Sequence, residues 1–597
     1  MFLRCTTRKK NGKEHSYWSI VENKRCAGNK IVQRHVLYLG ELDEPQYLNW
    51  ESTLKISNPI RPRETAPSVP QTDELFPAAP AKAGAEKKEP VRFDLSQMQL
   101  RHPRQWGACW LFCHFYQELG LDRFWAERLP RSRKGTRWDL ILQTLCAYRL
   151  IAPGSEWRLH RHWFEHSAMA DLLGGDFTLA EIHRLYGCHD LILEHQTELF
   201  AHLTQRWKDL FNAKFDVLLY DLTSTYFESE PPFGEGDKRR FGYSRDKRPD
   251  CVQVVIALIV TPEGFPVGYE VMSGNTSDKT TLKGFLEKIE KEYGKAQRIW
   301  VMDRGIPTEQ TLEQMRQSDP PVLYLVGTPK GRLSQLEAKL AGLPWQQARD
   351  GVEVKLLEKD RELYVLAKSA DRVSKERAMR RRQLKGLWRR LKELERMDLK
   401  RDALLLKLGA ARQPSPAAWR LVQIQLPTKK KAFGFTLKKT KLKAVRQRDG
   451  RYLLRSNLVG RTAAELWGFY LQLAQVEEAF RHLKGDLGVR PIFHQRMERI
   501  EAHIFIAFLA YCVHVSLGQR LKALAPGLTT RSALEKLGAL QMIDVHIPTS
   551  DGRELVLSRY TQPEADQKLL LEKLKLKLPG QPPPKITLAQ IPKADPP

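Results

Sequence analysis

Three carboxylates that lie far apart in the chain are the residues best suited to chemistry. Asp221 lies near the end of one short apolar run, and Asp303 closes another. Glu477 lies within a helical pattern much farther along the chain. Together they offer three hard oxygen ligands, which suit Mg²⁺ ions that also keep water for substrate phosphates. Two such ions can activate a water or a 3′-hydroxyl and stabilise the leaving oxygen of a phosphodiester.

The segment around Glu477, residues 470–487, has the spacing of an amphipathic helix. Its apolar residues recur at intervals of three and four and form one stripe, Leu473, Val476, Phe480, Leu483 and Leu487. Tyr470, Glu477 and Lys484 are spaced seven apart, about two turns, so one continuous helix would stack them beside this stripe. Arg481 would lie on the same flank, one turn from Glu477. An ordinary surface helix with one Glu–Arg pair would explain the same spacing without a functional site.

Glu478 is the carboxylate most easily confused with Glu477. On a helix it points about 100° farther from the apolar stripe, toward solvent. We therefore expect Glu477 to be the functional residue and Glu478 to be the more exposed one.

The chain around Asp221 and Asp303 predicts an α/β layer. Short apolar runs predict buried strands at 215–222, 251–261, 267–272, 298–303 and 322–326. Helical patterns at 279–293 and 308–317 lie between the later strands. Three strands in sequence, followed by alternating helix and strand, are typical of a sheet covered by helices.

The composition points to a polyanionic partner. The 597 residues include 98 Lys and Arg against 70 Asp and Glu, a formal net charge of +28. This excess favours nucleic acid first and an anionic membrane surface second. We expect a cytoplasmic protein without a membrane span, because the longest apolar run is too short and no signal-peptide pattern begins the chain. The eight cysteines form no CxxC pair and suggest neither a zinc site nor disulfides.

Changes in pattern divide the chain into segments. We expect a small β module at 1–54, a linker at 55–92, a helical and DNA-binding domain at 93–212, the first part of the catalytic core at 213–345, a β-rich insertion with a basic helical segment at 346–460, the last part of the core at 461–520, and a C-terminal region with a Pro-rich tail at 521–597. Within the insertion, one long helical stretch at 373–408 has a leucine seam.

Basic and aromatic side chains interleave in the helical segment, a pattern that suits DNA contact. Five basic residues surround Trp157 and Trp163, namely Arg149, Arg158, His160, Arg161 and His162. A packed helical domain with solvated arginines explains the same composition, and the sequence does not decide between the two.

Several motifs carry a resemblance to a known family. They are YDLTSTYFE around Asp221, FGYSRDKRPDCVQ, SGNTSDKTTL, VMDRG around Asp303 and RLIAPGSEWRLHRHW. Tyr470, Glu477 and Lys484 also match a Tyr-Arg-Glu-Lys signature in which Leu473 takes the place of the arginine. With these motifs the chain resembles the DDE-class bacterial insertion-sequence transposases, whose RNase H-like core is interrupted by a β-rich insertion before the third carboxylate.

The resemblance implies a fold, an activity and a set of site residues. The fold is an RNase H-like mixed sheet, and the activity is cleavage and transfer of DNA strands. Asp221, Asp303 and Glu477 would bind two Mg²⁺ ions, for which Mn²⁺ can substitute. Tyr470 and Lys484 would hold phosphates of the transposon end, and Arg481 would replace the missing arginine contact. The implied partners are transposon-end and target DNA and a second copy of the chain, at the bacterial nucleoid.

Two other functions fit parts of the sequence. A non-catalytic DNA-binding protein, or an inactive relic of a transposase, would account for the charge alone. A phosphatase of the haloacid dehalogenase type would use Asp221 as a nucleophile, because Asp-Leu-Thr-Ser-Thr follows a strand. No GDxxND-like segment follows it, however, and the basic excess has no role in that chemistry.

Overall fold

The computed structural model divides the chain into two compact units. Unit 1 comprises Met1–Thr6, Tyr17–His195 and Gly485–Pro597, and unit 2 comprises Thr7–Ser16 and Gln196–Lys484. The structure describes residues 1–10, 13–25, 31–57, 91–130, 132, 135–228, 230, 234–293, 298–303, 306–328, 336, 339–340, 342–397, 399–427 and 432–588. Most of the predicted linker, residues 58–90, lies outside these ranges.

The strands and helices of the described ranges are numbered in chain order. The strands are β1 Phe2–Lys10, β2 Lys13–Arg25, β3 Ile31–Gly40, β4 Gln99–Gln105, β5 Val217–Phe227, β6 Val252–Val260, β7 Pro266–Ser273, β8 Ile299–Met302, β9 Leu323–Gly327, β10 Gln346–Arg349, β11 Val352–Lys359, β12 Glu362–Ser369, β13 Val422–Gln425, β14 Gly434–Leu437, β15 Arg451–Ser456, β16 Gln541–Pro548, β17 Arg553–Tyr560 and β18 Lys585–Leu588. The α-helices are α1 Glu44–Ser57, α2 Gly107–Glu118, α3 Leu121–Arg128, α4 Trp138–Ile151, α5 Glu156–Arg158, α6 Met169–Leu172, α7 Ile182–His189, α8 Gln196–Phe211, α9 Asp278–Tyr293, α10 Glu309–Gln317, α11 Ala370–Arg396, α12 Arg401–Arg412, α13 Pro416–Trp419, α14 Lys439–Gln447, α15 Ala463–Leu471, α16 Leu473–Lys484, α17 Met497–Leu524, α18 Thr530–Gly538 and α19 Ala565–Lys573.

Unit 2 is built on a mixed sheet of nine strands. The five predicted strands are its β5 to β9, in the order β7-β6-β5-β8-β9. The strands β5, β6 and β7 are antiparallel neighbours, whereas β8 and β9 run parallel to β5 on its other side. Every residue of β6 is buried, which explains its unbroken apolar sequence. This strand order and these directions are those of an RNase H-like core, as the resemblance implied.

The predicted insertion extends the same sheet. Strands β10, β11, β12 and β15 follow one another antiparallel and add to the free edge of β9. The predicted continuous helix at 373–408 is wrong, because the chain turns between α11 and α12. The turn lets the leucine seam of α11 be buried within the same chain, with Leu387, Leu391 and Leu394 packed in one cluster with Leu404 and Leu408.

Unit 1 is mainly helical and is centred on α17. Helices α2, α4, α7 and α18 pack against α17. By length and composition α17 could cross a membrane, but 94% of its apolar window is buried in the protein. A four-stranded sheet, in the order β18-β17-β16-β4, completes the unit. The segment 93–212, predicted to be helical, also contains the strand β4, which corrects that prediction, and the Pro-rich tail contributes the edge strand β18.

The N-terminal module has the predicted strands and a helix that was not predicted. Strands β1, β2 and β3 form one sheet, and α1 follows them. Trp50 of α1 is fully buried, and its Nε1 donates to Pro526 O at 2.8 Å. Gly527 has φ +89°, and a Cβ there would lie 2.1 Å from Leu39 O, so the close approach requires glycine.

Candidate active site

Asp221 and Asp303 lie side by side on neighbouring parallel strands. Tyr220 on β5 is paired with Met302 on β8, so the two aspartates follow at the same level. Neighbouring strands are about 5 Å apart, which brings the two side chains close together. β8 ends at Met302, whereas β5 continues to Phe227 along β6. Asp221 therefore lies within β5 and not at its end as predicted. At this level β5 is no longer paired with β8, because β8 has ended.

Helix α16 brings Glu477 to the same place. The helix packs against β5 and β6 with Val476, Ala479, Phe480 and Leu483 buried. Glu477 itself is exposed. The negative charges of Asp303 and Glu477 both act on Asp221 and raise its pKa. Three carboxylates that are distant in the sequence thus converge.

Asp221 is a strongly perturbed carboxylate. Burial raises its pKa to about 7, and repulsion from Asp303 and Glu477 adds to the effect. The backbone N–H of Leu222, which donates to Oδ1 at 2.8 Å, and the charge of Arg245 act in the opposite direction. Among the described residues, Asp303 and Glu477 have no ion pair. A divalent cation would relieve this repulsion, so the donor set fits the metal that the family implies.

Tyr470 does not lie on the helix of Glu477, and the predicted continuous helix from 470 to 487 is wrong. The chain breaks at Gln472, between α15 and α16, and α16 ends at Lys484. The Tyr470 ring packs 5.6 Å from the Tyr452 ring and 5.7 Å from the Trp467 ring. The break has a physical reason, because α15 packs on β9, β10 and β11 while α16 packs on β5 and β6.

Arg481 and Glu478 form a pair that the sequence did not predict. Arg481 Nη2 donates to Glu478 Oε1 at 2.6 Å, so the expected pair with Glu477 is replaced by one with its neighbour. Glu478 is partly buried, and its hydrogen bond with His482 and its pair with Arg481 lower its pKa. The expectation that Glu478 is the more exposed carboxylate is wrong, because Glu477 is the exposed one.

Lys484 lies in a mostly buried ion pair. Its Nζ donates to Asp246 Oδ1 at 2.8 Å. Asp246 belongs to the loop before β6, the same loop whose Arg245 acts on Asp221. The loop belongs to the motif FGYSRDKRPDCVQ, but the sequence alone indicates no role for Arg245 or Asp246. The sequence feature that could have indicated their role is the run of charged residues between two predicted strands.

The loop is fixed to the turn after β7 by close packing. Gln253 Nε2 donates to Gly274 O at 2.9 Å, and the Gly274 N–H donates to Lys238 O at 2.9 Å. A Cβ on Gly274 would lie 1.9 Å from Gln253 O, so no larger residue fits without movement of the backbone. The two motifs FGYSRDKRPDCVQ and SGNTSDKTTL thus form one structural unit beside the carboxylates.

The basic residues predicted to surround Trp157 and Trp163 fall into an exposed and a buried group. Arg149 is buried and faces Glu156, so the expectation that it contacts DNA is wrong. Arg158 and Arg161 are exposed, and the Arg161 guanidinium lies 4.8 Å from the centre of the exposed Trp157 ring. This stacked pair retains the character expected of a nucleic-acid surface.

Helix α11 carries a second basic surface, which we call the α11 groove. It is a depression of about 1130 Å³ with Leu384 and Trp388 in its lining. Its basic residues are Arg377, Arg380, Arg381, Lys385, Arg389, Lys392, Arg396 and Arg446. Such a concentration of cations along one helix is the electrostatic pattern of a phosphate-binding surface.

Comparison with known proteins identifies the class. Residues 212–513, half of the chain, match the family model of the transposase DDE domain. The chain belongs to the DDE transposase family, a class of enzymes that cleave and transfer DNA strands and use divalent metal. Residues 3–56 match the N-terminal domain of the IS1634 family transposases, which places the chain among insertion-sequence transposases.

The two remaining comparisons add little. A cryo-EM structure of the piggyBac transposase synaptic complex with hairpin DNA matches with 9% identity and a TM-score of 0.32, over 72% of this chain and 78% of that one. A likeness this distant carries no argument about this chain. No curated protein matched the chain.

Proposed function

We propose that this transposase performs cut-and-paste transposition, with Asp221, Asp303 and Glu477 as the residues that hold two Mg²⁺ ions. The observation that carries the proposal is the convergence of the three carboxylates around an aspartate whose pKa is about 7. Bound there, the ions would activate the attacking water or 3′-hydroxyl and stabilise the leaving oxygen. Mn²⁺, which also takes oxygen ligands, is expected to substitute.

The surrounding residues prepare the carboxylates for this role. Asp303 and Glu477 are exposed, so DNA can approach them, whereas the partly buried Asp221 is anchored by the Leu222 N–H. Arg245 favours the charged form of Asp221 and so assists its loss of a proton before cation binding. The fixed loop that carries Arg245 keeps this charge in place.

We propose Tyr470, Arg481 and Lys484 as contacts to phosphates of the transposon end. Arg481 is exposed on the same helix as Glu477, which supports this role. An ammonium carries three N–H donors, so Lys484 can bind Asp246 and a phosphate together. Tyr470 lies on α15 and not on the helix of Glu477 as predicted. Its hydroxyl is still a candidate phosphate ligand from this position.

The exposed basic surfaces are the proposed routes of the remaining DNA. The α11 groove and the Trp157–Arg161 pair each combine cations with an aromatic ring.

We also propose that a homodimer holds the two ends of the mobile element, because two ends require two active sites, and that it acts at the nucleoid in the cytoplasm. Mass measurement of the complex between the protein and cleaved transposon ends should give two chains bound to two ends. A complex of one chain with one end that never assembles further would contradict the dimer.

The test is Mg²⁺-dependent nicking of a duplex that carries the inverted repeat flanking the gene. Wild-type protein should nick this duplex and should require Mg²⁺ or Mn²⁺. Asp221→Asn and Asp303→Asn should bind the duplex without metal as well as wild type does, because the basic surfaces are unchanged. Their nicking should fall by about 10³-fold or more, because the ions lose a ligand. Nicking by both variants at the wild-type rate would refute the proposed site.

A further inference from the structure

Unit 1 contains a buried cluster of one glutamate and three histidines that the transposase chemistry does not use. Glu156 begins α5, His189 ends α7, His494 precedes α17 and His503 lies near the start of α17. All four side chains are at most 6% exposed. Each offers one ligand atom, and these atoms all lie within 4.8 Å of one another. The cluster thus joins four separate parts of unit 1.

Three distances within the cluster match those between ligands of one metal ion. Glu156 Oε1 lies 3.5 Å from His189 Nε2, 3.4 Å from His494 Nε2 and 3.4 Å from His503 Nδ1. A tetrahedral zinc ion with bonds of about 2.0–2.2 Å holds its ligand atoms about 3.3–3.6 Å apart. Good N–H···O hydrogen bonds would be about 2.7–3.2 Å long, and none of these three contacts is that short.

The hydrogen bonds of His189 orient it as a metal ligand. His189 Nδ1 lies 2.8 Å from Leu185 O, and a ring nitrogen can bond a carbonyl only as the N–H donor. The neutral ring then has its lone pair on Nε2, directed at the carboxylate of Glu156. Two lone pairs that face each other in a buried site require a cation or an added proton between them. Donation of the other ring N–H to a backbone carbonyl is also the usual arrangement of metal-binding histidines.

Arg149 is the competing cation. Its Nη2 lies 3.6 Å from Glu156 Oε1 and 3.5 Å from His503 Nδ1, while Nη1 donates to Gly488 O at 3.0 Å. Without a metal ion, Arg149 alone would neutralise the negative charge of Glu156. That arrangement predicts a direct hydrogen bond between the two, but the distance exceeds that of a good hydrogen bond.

We propose that Glu156, His189, His494 and His503 form a closed structural site for one divalent transition-metal ion, with Zn²⁺ as the first candidate. Three imidazoles and one carboxylate, whose oxygen lies 3.4–3.5 Å from a nitrogen of each imidazole, suit zinc, and burial of all four ligands is typical of a structural site. The site differs in chemistry from the all-carboxylate site of unit 2. Its ion would tie α5, α7 and α17 together with the segment that carries His494.

The test measures metal content and heat stability of the full-length protein. Wild-type protein should retain about one zinc ion per chain after dialysis against a weak chelator. The Asp221→Asn variant should retain the same amount, which separates this site from the carboxylate site. A strong chelator should lower the melting temperature of both proteins, and added Zn²⁺ should restore it. Reconstitution with Co²⁺ should give the visible spectrum of a tetrahedral complex and requires no variant.

His189→Gln and His183→Gln form a matched pair on α7. His183 is exposed on the same helix and is absent from the cluster, so its variant should keep the zinc ion. His189→Gln should lose the ion, and its melting temperature should no longer respond to chelator. Wild-type protein that binds neither Zn²⁺ nor Co²⁺ stoichiometrically, and whose melting temperature ignores chelator, would overturn the proposal in favour of the Arg149–Glu156 pair.

Discussion

At the residue scale, Asp221 destabilises the metal-free protein. Its pKa is about 7 in the folded chain and about 4 in the unfolded chain, so charging it costs more in the fold. The cost is absent below about pH 4, grows as pH rises, and is complete above about pH 7. The same group must lose its proton to bind a cation, so Mg²⁺ affinity should fall as pH drops below about 7.

Asp221→Asn should therefore stabilise the metal-free protein while it abolishes nicking. We expect a gain of about 1–2 kcal/mol in unfolding free energy at pH 8, reduced from the full pKa shift because Asp221 is only partly buried. The gain should vanish near pH 4. Denaturant unfolding at the two pH values measures it, with the exposed Asp216→Asn as the control. Equal stability of variant and wild type at pH 8 would contradict the raised pKa of Asp221.

Residue identity could be predicted from the sequence better than residue partnership. A single carboxylate at the end of a strand is commonplace, but Asp221, Asp303 and Glu477 together form a set of three hard oxygen ligands, and the structure brings them together. The pairing of Arg481 with Glu478 could not be predicted, because i,i+3 and i,i+4 spacings are both compatible with a helix. The buried pair of Lys484 and Asp246 depends on a contact between residues far apart in the chain.

At the element scale, the strands of the core were predictable and their edges were not. Buried strands have continuous apolar sequences, so β6 to β9 appear within one residue of their predicted bounds, whereas β5 continues five residues beyond its predicted end at 222. The break between α15 and α16 leaves no glycine or proline signal, because it arises from packing on two different parts of the sheet. The site therefore depends on tertiary contacts that local spacing does not encode.

Gly274 offers a test of the loop that carries Arg245. Gly274→Ala should cost about 1–3 kcal/mol, because its Cβ would meet backbone oxygen at 1.9 Å and the loop must shift. Nicking should fall with it, since the loop supports Asp221 through Arg245. The control is Gly284→Ala on α9, where a Cβ meets nothing within 4 Å and alanine favours the helix. If Gly274→Ala matches wild type in unfolding and in nicking, the loop has no positioning role.

At the scale of the whole molecule, the charge of +28 is distributed over defined surfaces. The α11 groove is one of them, and its neutralisation should change DNA binding without touching catalysis. Lys385→Ala with Arg389→Ala should weaken end binding and reduce the slope of log affinity against log salt by roughly 1–2, since each phosphate contact contributes about 0.9. Lys400→Ala with Arg401→Ala removes the same charge outside the groove and should leave the slope unchanged. Equal slopes for the two double variants would refute a role of the groove.

The leucine seam illustrates a limit of whole-chain inference from sequence. Such a seam is typical of a helix-pairing surface, and its partner is a helix of the same insertion. The proposed homodimer would therefore require another interface. The four-residue cluster of unit 1 was also beyond sequence reasoning, because its members lie far apart and have no ligand-type spacing.

The central claim is that Glu477 is the third carboxylate of a metal-dependent strand-cleaving site. Its neighbour Glu478 provides the matched control, since it is held by Arg481 and His482 instead.

The most direct measurement is Mg²⁺-dependent nicking of a transposon-end duplex by Glu477→Gln and Glu478→Gln. The two variants make the same chemical change one residue apart on one helix. Glu477→Gln should bind DNA normally and lose about 10³-fold or more in nicking, because a metal ligand is removed. Glu478→Gln should nick within about threefold of wild type, because it loses only a surface pair worth a few tenths of a kcal/mol. Normal nicking by Glu477→Gln, or loss of nicking in Glu478→Gln alone, would contradict the account.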